Sequence, residues 1–216
     1  MAQTLYVNPG TGSDSAAGNQ SAPFKTIAKA LKSAQSGTTI QLAAGNYNAA
    51  SGEVFPLDVP SGVKIVGNED NKGNGILIEG SGQYLSRTQA GQNVTILLAD
   101  SAELRGVTVT NPANRGTAAW VESTAPTIAK CTFTKSKREG VFATGDANPT
   151  ILNNDFISND GNGISITRNT TGEIRGNTCK KTGTGISIDS NAAPRVVDNT
   201  IVENRYGIII SGESRP

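Results

Sequence analysis

A repeat of 22 to 24 residues through the second half of the chain constrains its fold more than any other feature. Gly116, Gly140, Gly163, Gly185 and Gly207 recur at spacings of 24, 23, 22 and 22. Each opens a short alternating apolar run: Thr117 and Ala119, Val141 and Ala143, Ile164 and Ile166, Ile186 and Ile188, Ile208 and Ile210. Earlier in each unit stands one aliphatic residue (Leu104, Ile128, Ile151, Ile174, Val196), and five residues on a second buried-type position (Val109, Phe133, Phe156, Cys179, Ile201). Alternation over two to five residues, broken by Gly, Asn or Asp, describes three short strands per unit and leaves no room for a helix. So small a unit cannot bury its own apolar face. Stacking solves this, each unit becoming one coil of a parallel solenoid that rises about 4.8 Å, with equivalent residues above one another. Leucine-rich repeats share the period, but their Leu-x-x-Leu-x-Leu pattern is absent. A three-sheet β-helix is expected.

One turn column carries Val107, Cys131, Asn154, Asn177 and Asn199. Asn tolerates a left-handed backbone, and stacked amides can bond along the axis as an Asn ladder. The 25 Gly, 20 Asn and 5% aromatic residues fit a chain made of turns. Upstream of residue 100 the register loosens. Strand-like segments at 39–42, 63–66, 76–78 and 94–98 imply about three further coils, separated by Gly/Asn-rich insertions at 68–75 and 80–93. Ahead of them, 23–34 sets Phe24, Ile27, Ala28 and Leu31 on one helical face, with Pro23 in the first turn and Gly37 just past the end. An amphipathic helix there would cap the open end of the solenoid. The expected organisation is an N-terminal segment and capping helix at 1–36, then about eight coils over 37–216.

Nineteen basic against 18 acidic residues leave a net charge of +1, which gives no electrostatic footprint for nucleic acid. The complete lack of His removes the usual general base near neutral pH and every Ser-His or Cys-His pair. No stretch has the length and apolarity of a membrane span. The opening Met1-Ala2-Gln3 is read as what remains when a leader peptide is trimmed and a start Met added. Cys131 and Cys179 lie two coils apart, about 9.6 Å along the axis and beyond the reach of a disulfide, so two free thiols are expected.

The residues Tyr6-Val7-Asn8-Pro9, Gly12, Asp14, Pro23-Phe24-Lys25-Thr26-Ile27, Ala30, Gly37-Thr38-Thr39-Ile40, Leu42, Gly45 and Tyr47 resemble the N-terminal signature of a domain family of unknown function that begins secreted β-helix proteins. The Asn-rich coils resemble the pectate-lyase-like superfamily. The resemblance implies an all-β, right-handed parallel β-helix and a secreted or cell-surface location. Its members include lyases, hydrolases, epimerases and non-catalytic surface proteins, so the fold alone leaves the activity open.

In the proteins this chain resembles, the saccharide cleft follows the first sheet of each coil, here the run after each closing Gly. By alternation its outward residues are Ala118 and Trp120, Phe142 and Thr144, Ser165 and Thr167, Ser187 and Asp189, Ile209 and Ser211. The single Trp and one of five Phe then face outward on neighbouring coils, either as a surface that stacks on sugar rings or as packing beneath a loop or further domain. Trp120, Phe142, Arg138, Thr144 and Thr167 are the candidate substrate-binding residues. Six residues past each closing Gly stand Glu122, Asp146, Asn169, Asn191 and Glu213. Glu122 and Asp146, on adjacent coils, are expected within roughly 5–7 Å of each other, as calcium ligands or as an acid and nucleophile. Arg168 and Asp189 complete the candidate catalytic set, with Arg138 or Arg168 as a guanidinium for an acidic sugar or, by the resemblance, an Arg base.

The chain departs from the enzymes in having no His and an outward column of mostly Ala, Phe, Ser and Ile. The expected function is therefore a secreted or cell-surface module that binds extracellular polysaccharide or serves as a rigid scaffold, without nucleic-acid or membrane partners. A calcium-assisted polysaccharide lyase or glycoside hydrolase is the alternative. The apolar end around Ile208 and Ile210 predicts a further domain or end-to-end pairing of two chains.

Overall fold

In the computed structural model, which describes residues 3–216, three sheets of short strands run along one axis. The leading sheet has eight strands, from Thr4–Val7 to Arg195–Val197, and the middle sheet seven, from Gly45–Tyr47 to Thr200–Val202. The closing sheet, formed by the runs after the repeated Gly, has seven parallel strands from Leu57–Val59 to Tyr206–Ile210. Seven coils hold all three strands, and Thr4–Val7 adds one rung to the leading sheet alone, which corrects the expected count of about eight. Met1 and Ala2, which carry the leader-peptide reading, lie outside the described residues.

Two of the three columns stand as expected. Leu104, Ile128, Ile151, Ile174 and Val196 are paired in register along the leading sheet. Val109, Phe133, Phe156, Cys179 and Ile201 are paired along the middle sheet. The third column needs a correction at its first member. Ala119 pairs with Val141 and Trp120 with Phe142, so Gly116 is not the partner of Gly140. The turn after Thr108–Thr110 is two residues longer than its counterpart in the next coil. Asn111 folds that excess into a local turn, its Oδ1 accepting from Ala113 N and its Nδ2 donating to Thr117 O. The interior filled by these columns is apolar from Leu5 to Ala192, and Ala118, expected on the outer face, belongs to it.

Corners explain why the repeat tolerates so many charged residues at turns. Lys130, Asn153, Gly176 and Asp198 bend one corner, and Lys135, Ser158, Lys181 and Glu203 the next, each with φ between 52° and 67°. Inside the first of these, Asn154 Nδ2 donates to Asn177 Oδ1 and Asn177 Nδ2 to Asn199 Oδ1, both at 3.0 Å. The same Oδ1 atoms accept from the Asn154 and Asn177 backbone N–H at 2.9 Å. Cys131 and Cys179 are buried and unbridged, and burial pushes both thiols up to about 12.

The helix spans Ile27–Ser33, shorter than expected. Phe24 instead forms a strand-like rung beside Val7, its N–H donating to Tyr6 O and its carbonyl accepting from Asn8 N. Thr26 caps the helix by accepting from Lys29 N, and Asp14 accepts from Lys25 N and Thr26 N. Glu53 receives Ile27 N at 2.6 Å and Ala28 N at 3.0 Å. Ile27, Ala30 and Leu31 are thereby buried against the first coil. Among the described residues no helix is long and apolar enough to cross a membrane. At the other end, Tyr206, Ile208 and Ile210 are exposed.

Candidate saccharide-binding face

The closing sheet presents one continuous outward file. Parallel pairing sets Leu97 beside Trp120, Trp120 beside Phe142, Phe142 beside Ser165, Ser165 beside Ser187 and Ser187 beside Ile209. The outward direction of Trp120 and Phe142 is therefore read correctly, but their exposure is not. Trp120 is 1% and Phe142 6% exposed. They form a second apolar cluster outside the solenoid wall with Val94, packed against Tyr84 and Leu97. What covers them is the 80–93 insertion, which is an antiparallel hairpin of Gly82–Ser86 on the first part of Ala90–Leu98. Packing beneath a loop is the reading that holds. The rings of Trp120 and Phe142 stack at 4.5 Å and 3°, Tyr84 meets Trp120 at 60°, and the Arg138 guanidinium lies over Phe142 at 5.5 Å. Face-to-face stacking uses up the ring surfaces that a sugar would need. Trp120 Nε1 is buried without a partner.

Glu122 is the hairpin's main anchor. Its carboxylate accepts from Tyr84 OH at 2.6 Å, Ser86 Oγ at 2.9 Å and Thr88 N at 2.8 Å. Burial on its own raises this carboxyl, but the bonds from Tyr84, Thr88 and Ser86 outweigh it and hold the group below the usual range. Burial, with the bond to Glu122, pushes the Tyr84 hydroxyl up to about 12. Thr144, one of the expected binding residues, is sealed, its Oγ1 2.9 Å from Thr88 Oγ1. The expected pairing of Glu122 with Asp146 fails, because the register sets Glu122 beside Thr144. Asp146 stands on the outer corner, accepting from Asn169 Nδ2 at 2.9 Å. Among the described residues no three His, Cys, Asp or Glu side chains converge as a metal site.

Past the hairpin the face opens into a polar cleft of about 400 Å³ that brings together Arg138, Phe142, Thr167, Arg168 and Asp189. Ser165, Ser187, Ser190, Asn162 and Gln89 add hydroxyls and amides. Arg168 Nη2 donates to Thr88 O and Arg138 Nη1 to Gln92 Oε1, both at 2.9 Å, so each guanidinium is partly engaged in holding the hairpin. Asp189 accepts from Ser190 N and Ser211 Oγ. Trp120 and Glu122 border a separate hollow of about 200 Å³ with Asp58, Tyr84, Leu97 and Thr124.

Glu139, missed by the sequence reading, also lines the cleft and is 4% exposed. Its carboxyl pairs with Arg138 Nε at 2.9 Å and accepts from Thr117 Oγ1 at 2.8 Å. Burial raises its carboxyl above the ordinary range against the pull of Arg138 and Thr117. A lone Glu ahead of a turn Gly carries no sequence signal that separates it from a solvated rim residue.

The stacked coils and the outer cleft define a right-handed parallel β-helix of the pectate-lyase-like type. Pectate lyase Pel9A superposes with a TM-score of 0.71 at 18% identity, over 92% of this chain and 55% of that one. A rhamnogalacturonan lyase gives 0.65 at 14% identity, over 97% and 62%. The pectin methylesterase from Aspergillus niger gives 0.50 at 12%, over 98% and 86%. At these identities the likeness is one of fold, and the chain spans 55% and 62% of the length of the two lyases. The chain belongs to the family described as "Protein of unknown function (DUF1565)", whose model matches residues 10–214. No curated protein matches the sequence.

Proposed function

We propose that the protein is a secreted or cell-surface β-helix module that binds extracellular polysaccharide in the polar cleft of the closing sheet. The observation that carries this reading is the convergence, on one outward face, of two guanidiniums, the Asp189 carboxylate, and a row of hydroxyls and amides beside Phe142. Such a surface matches a polyhydroxylated chain, whose hydroxyls need donors and acceptors at short intervals. The likeness to polysaccharide lyases and a pectin methylesterase supports the ligand class by analogy of fold.

The test is affinity electrophoresis of the whole chain against acidic and neutral polysaccharides, with and without calcium. Retardation by at least one polymer, reduced at least tenfold in Arg168→Ala and in Asp189→Ala, is the expected result, and no retardation by any of them overturns the reading. Calcium at this face, and an exposed end around Ile208 and Ile210 that receives a further domain or a second copy, belong to the same proposal. Sedimentation velocity checks the pairing.

A second reading, a lyase or hydrolase working on the same face, is favoured by Glu139, a buried acid whose raised titration suits proton donation. Unsaturated products or new reducing ends that appear with the wild type and vanish in Glu139→Gln would establish it.

A further inference from the structure

The hairpin does more than cover two aromatic rings, because it crosses the face from one flank to the other. On the flank where the closing strands begin, Gln92 Oε1 accepts from Arg138, which precedes Val141–Thr144. On the opposite flank Thr88 O accepts from Arg168, which follows Asn162–Ile166. On that same flank Thr88 is bonded through its N–H to Glu122 and through its hydroxyl to Thr144, the last residues of Gly116–Glu122 and Val141–Thr144. The crossing is therefore tied at both edges, with apolar packing on Trp120 and Phe142 between them.

Exposure along the outward file records the result. It is 1% at Trp120 and 6% at Phe142, both beneath the hairpin, and 5% at Ser165, while Ser187 is half-buried and Ile209 reaches 36%. The file is continuous in strand pairing, yet the hollow beside Trp120 and the cleft beside Phe142 are two separate spaces, and the hairpin is what divides them.

We propose that the cleft takes the end of a saccharide chain rather than its middle. A chain lying along the file over Ile209 and Ser187 reaches the buried Ser165 and Phe142 about 10–14 Å from Ile209 at 4.8 Å per coil, meets the hairpin and stops there. Gln89, held next to the bonded Thr88, forms the wall that the terminal sugar faces, so it belongs to the site although it is remote from it in sequence. The wall is a bonded part of the molecule and needs no movement to act. A chain interior has polymer on both sides of each ring and cannot approach a trough closed at one end, whereas a terminus can. This inference rests on the reading of the closing sheet as the saccharide face.

The experiment uses the whole wild-type chain and any polysaccharide that retards it, compared at equal sugar mass before and after partial hydrolysis and size fractionation. For end-on binding, cutting the polymer to about one tenth of its length raises the number of ends, and hence the apparent affinity per sugar mass, about tenfold. Affinity per sugar mass that stays constant or falls after cutting overturns the end-on inference while leaving saccharide binding in place. Absence of binding by any polymer or fragment overturns both. Gln89→Ala sharpens the result: it weakens binding of the short fragments severalfold if the terminal sugar rests on the wall, and unchanged binding contradicts that contact.

Discussion

Among the described residues two apolar clusters stand apart, and they are buried by different means. The interior cluster runs from Leu5 to Ala192 and is closed by coil stacked on coil, with the Ile27–Ser33 helix as its plug. The outer cluster of Val94, Trp120 and Phe142 lies on the solvent side of the closing sheet and is closed only by a hairpin held through polar bonds to Glu122, Thr144, Arg138 and Arg168. The first follows from periodicity and is repeated. The second is a single local addition, and it shapes the candidate site, since the hairpin supplies one wall of the cleft. Substitutions in the first should unfold coils, whereas substitutions in the second should loosen the hairpin and leave the coils standing.

The largest expected effect lies in the interior. Phe156 is fully buried and stacks on Phe133 at 5.0 Å. Phe156→Ala should cost about 3–5 kcal/mol in urea unfolding, and a loss below about 1 kcal/mol would mean that the middle-sheet column is not packed as described.

Next comes the plug. Burial pushes the Glu53 carboxyl from 4.5 up to about 7, against the backbone N–H bonds of Ile27 and Ala28. The proton is thus held more tightly in the folded chain than in the unfolded one. Stability present below about pH 4.5 should fall by about 3 kcal/mol as pH rises through 7. Unfolding measured from pH 4 to 8 should show this slope in the wild type and lose it in Glu53→Gln, and parallel curves for the two would contradict it.

Asn177→Ala should cost about 2–3 kcal/mol, because the buried N–H of Asn154 loses its acceptor and Ile151 O loses its donor. An unchanged urea midpoint would count against the Asn column as a stabilising feature.

The smallest effect is expected in the outer cluster. Tyr84→Phe removes one bond to Glu122 and should cost about 1 kcal/mol or less, with a shift in emission of Trp120, the only Trp, that precedes coil unfolding in urea. Coincident transitions would make the hairpin part of the coil core.

The same contrast decides what was legible in the sequence. Leu104 to Val196 and Val109 to Ile201 could be read because stacking repeats one demand at one spacing. The Gly116 alignment slipped by two residues because the Asn111 turn supplies a second, local reason for a Gly. The left-handed corners were hidden, being occupied by Lys, Ser, Asp and Glu more often than by Gly or Asn. Alternation correctly gave the direction of Trp120 and Phe142, but direction says nothing of a hairpin that arrives from elsewhere in the chain. Arg138, Phe142, Thr167, Arg168 and Asp189 line one cleft, while Glu139 and Gln89 emerge only from the three-dimensional arrangement.

The central claim, that the closing sheet is the functional face, is tested most directly by obstructing two walls of the same solenoid in turn. Ser187 faces outward in the cleft of the closing sheet, and Thr178 faces outward on the middle sheet beside Asp155. With a polysaccharide that binds the wild type, isothermal titration should show binding abolished by Ser187→Trp and retained by Thr178→Trp. Full binding by Ser187→Trp, or equal loss in both variants, would contradict the account.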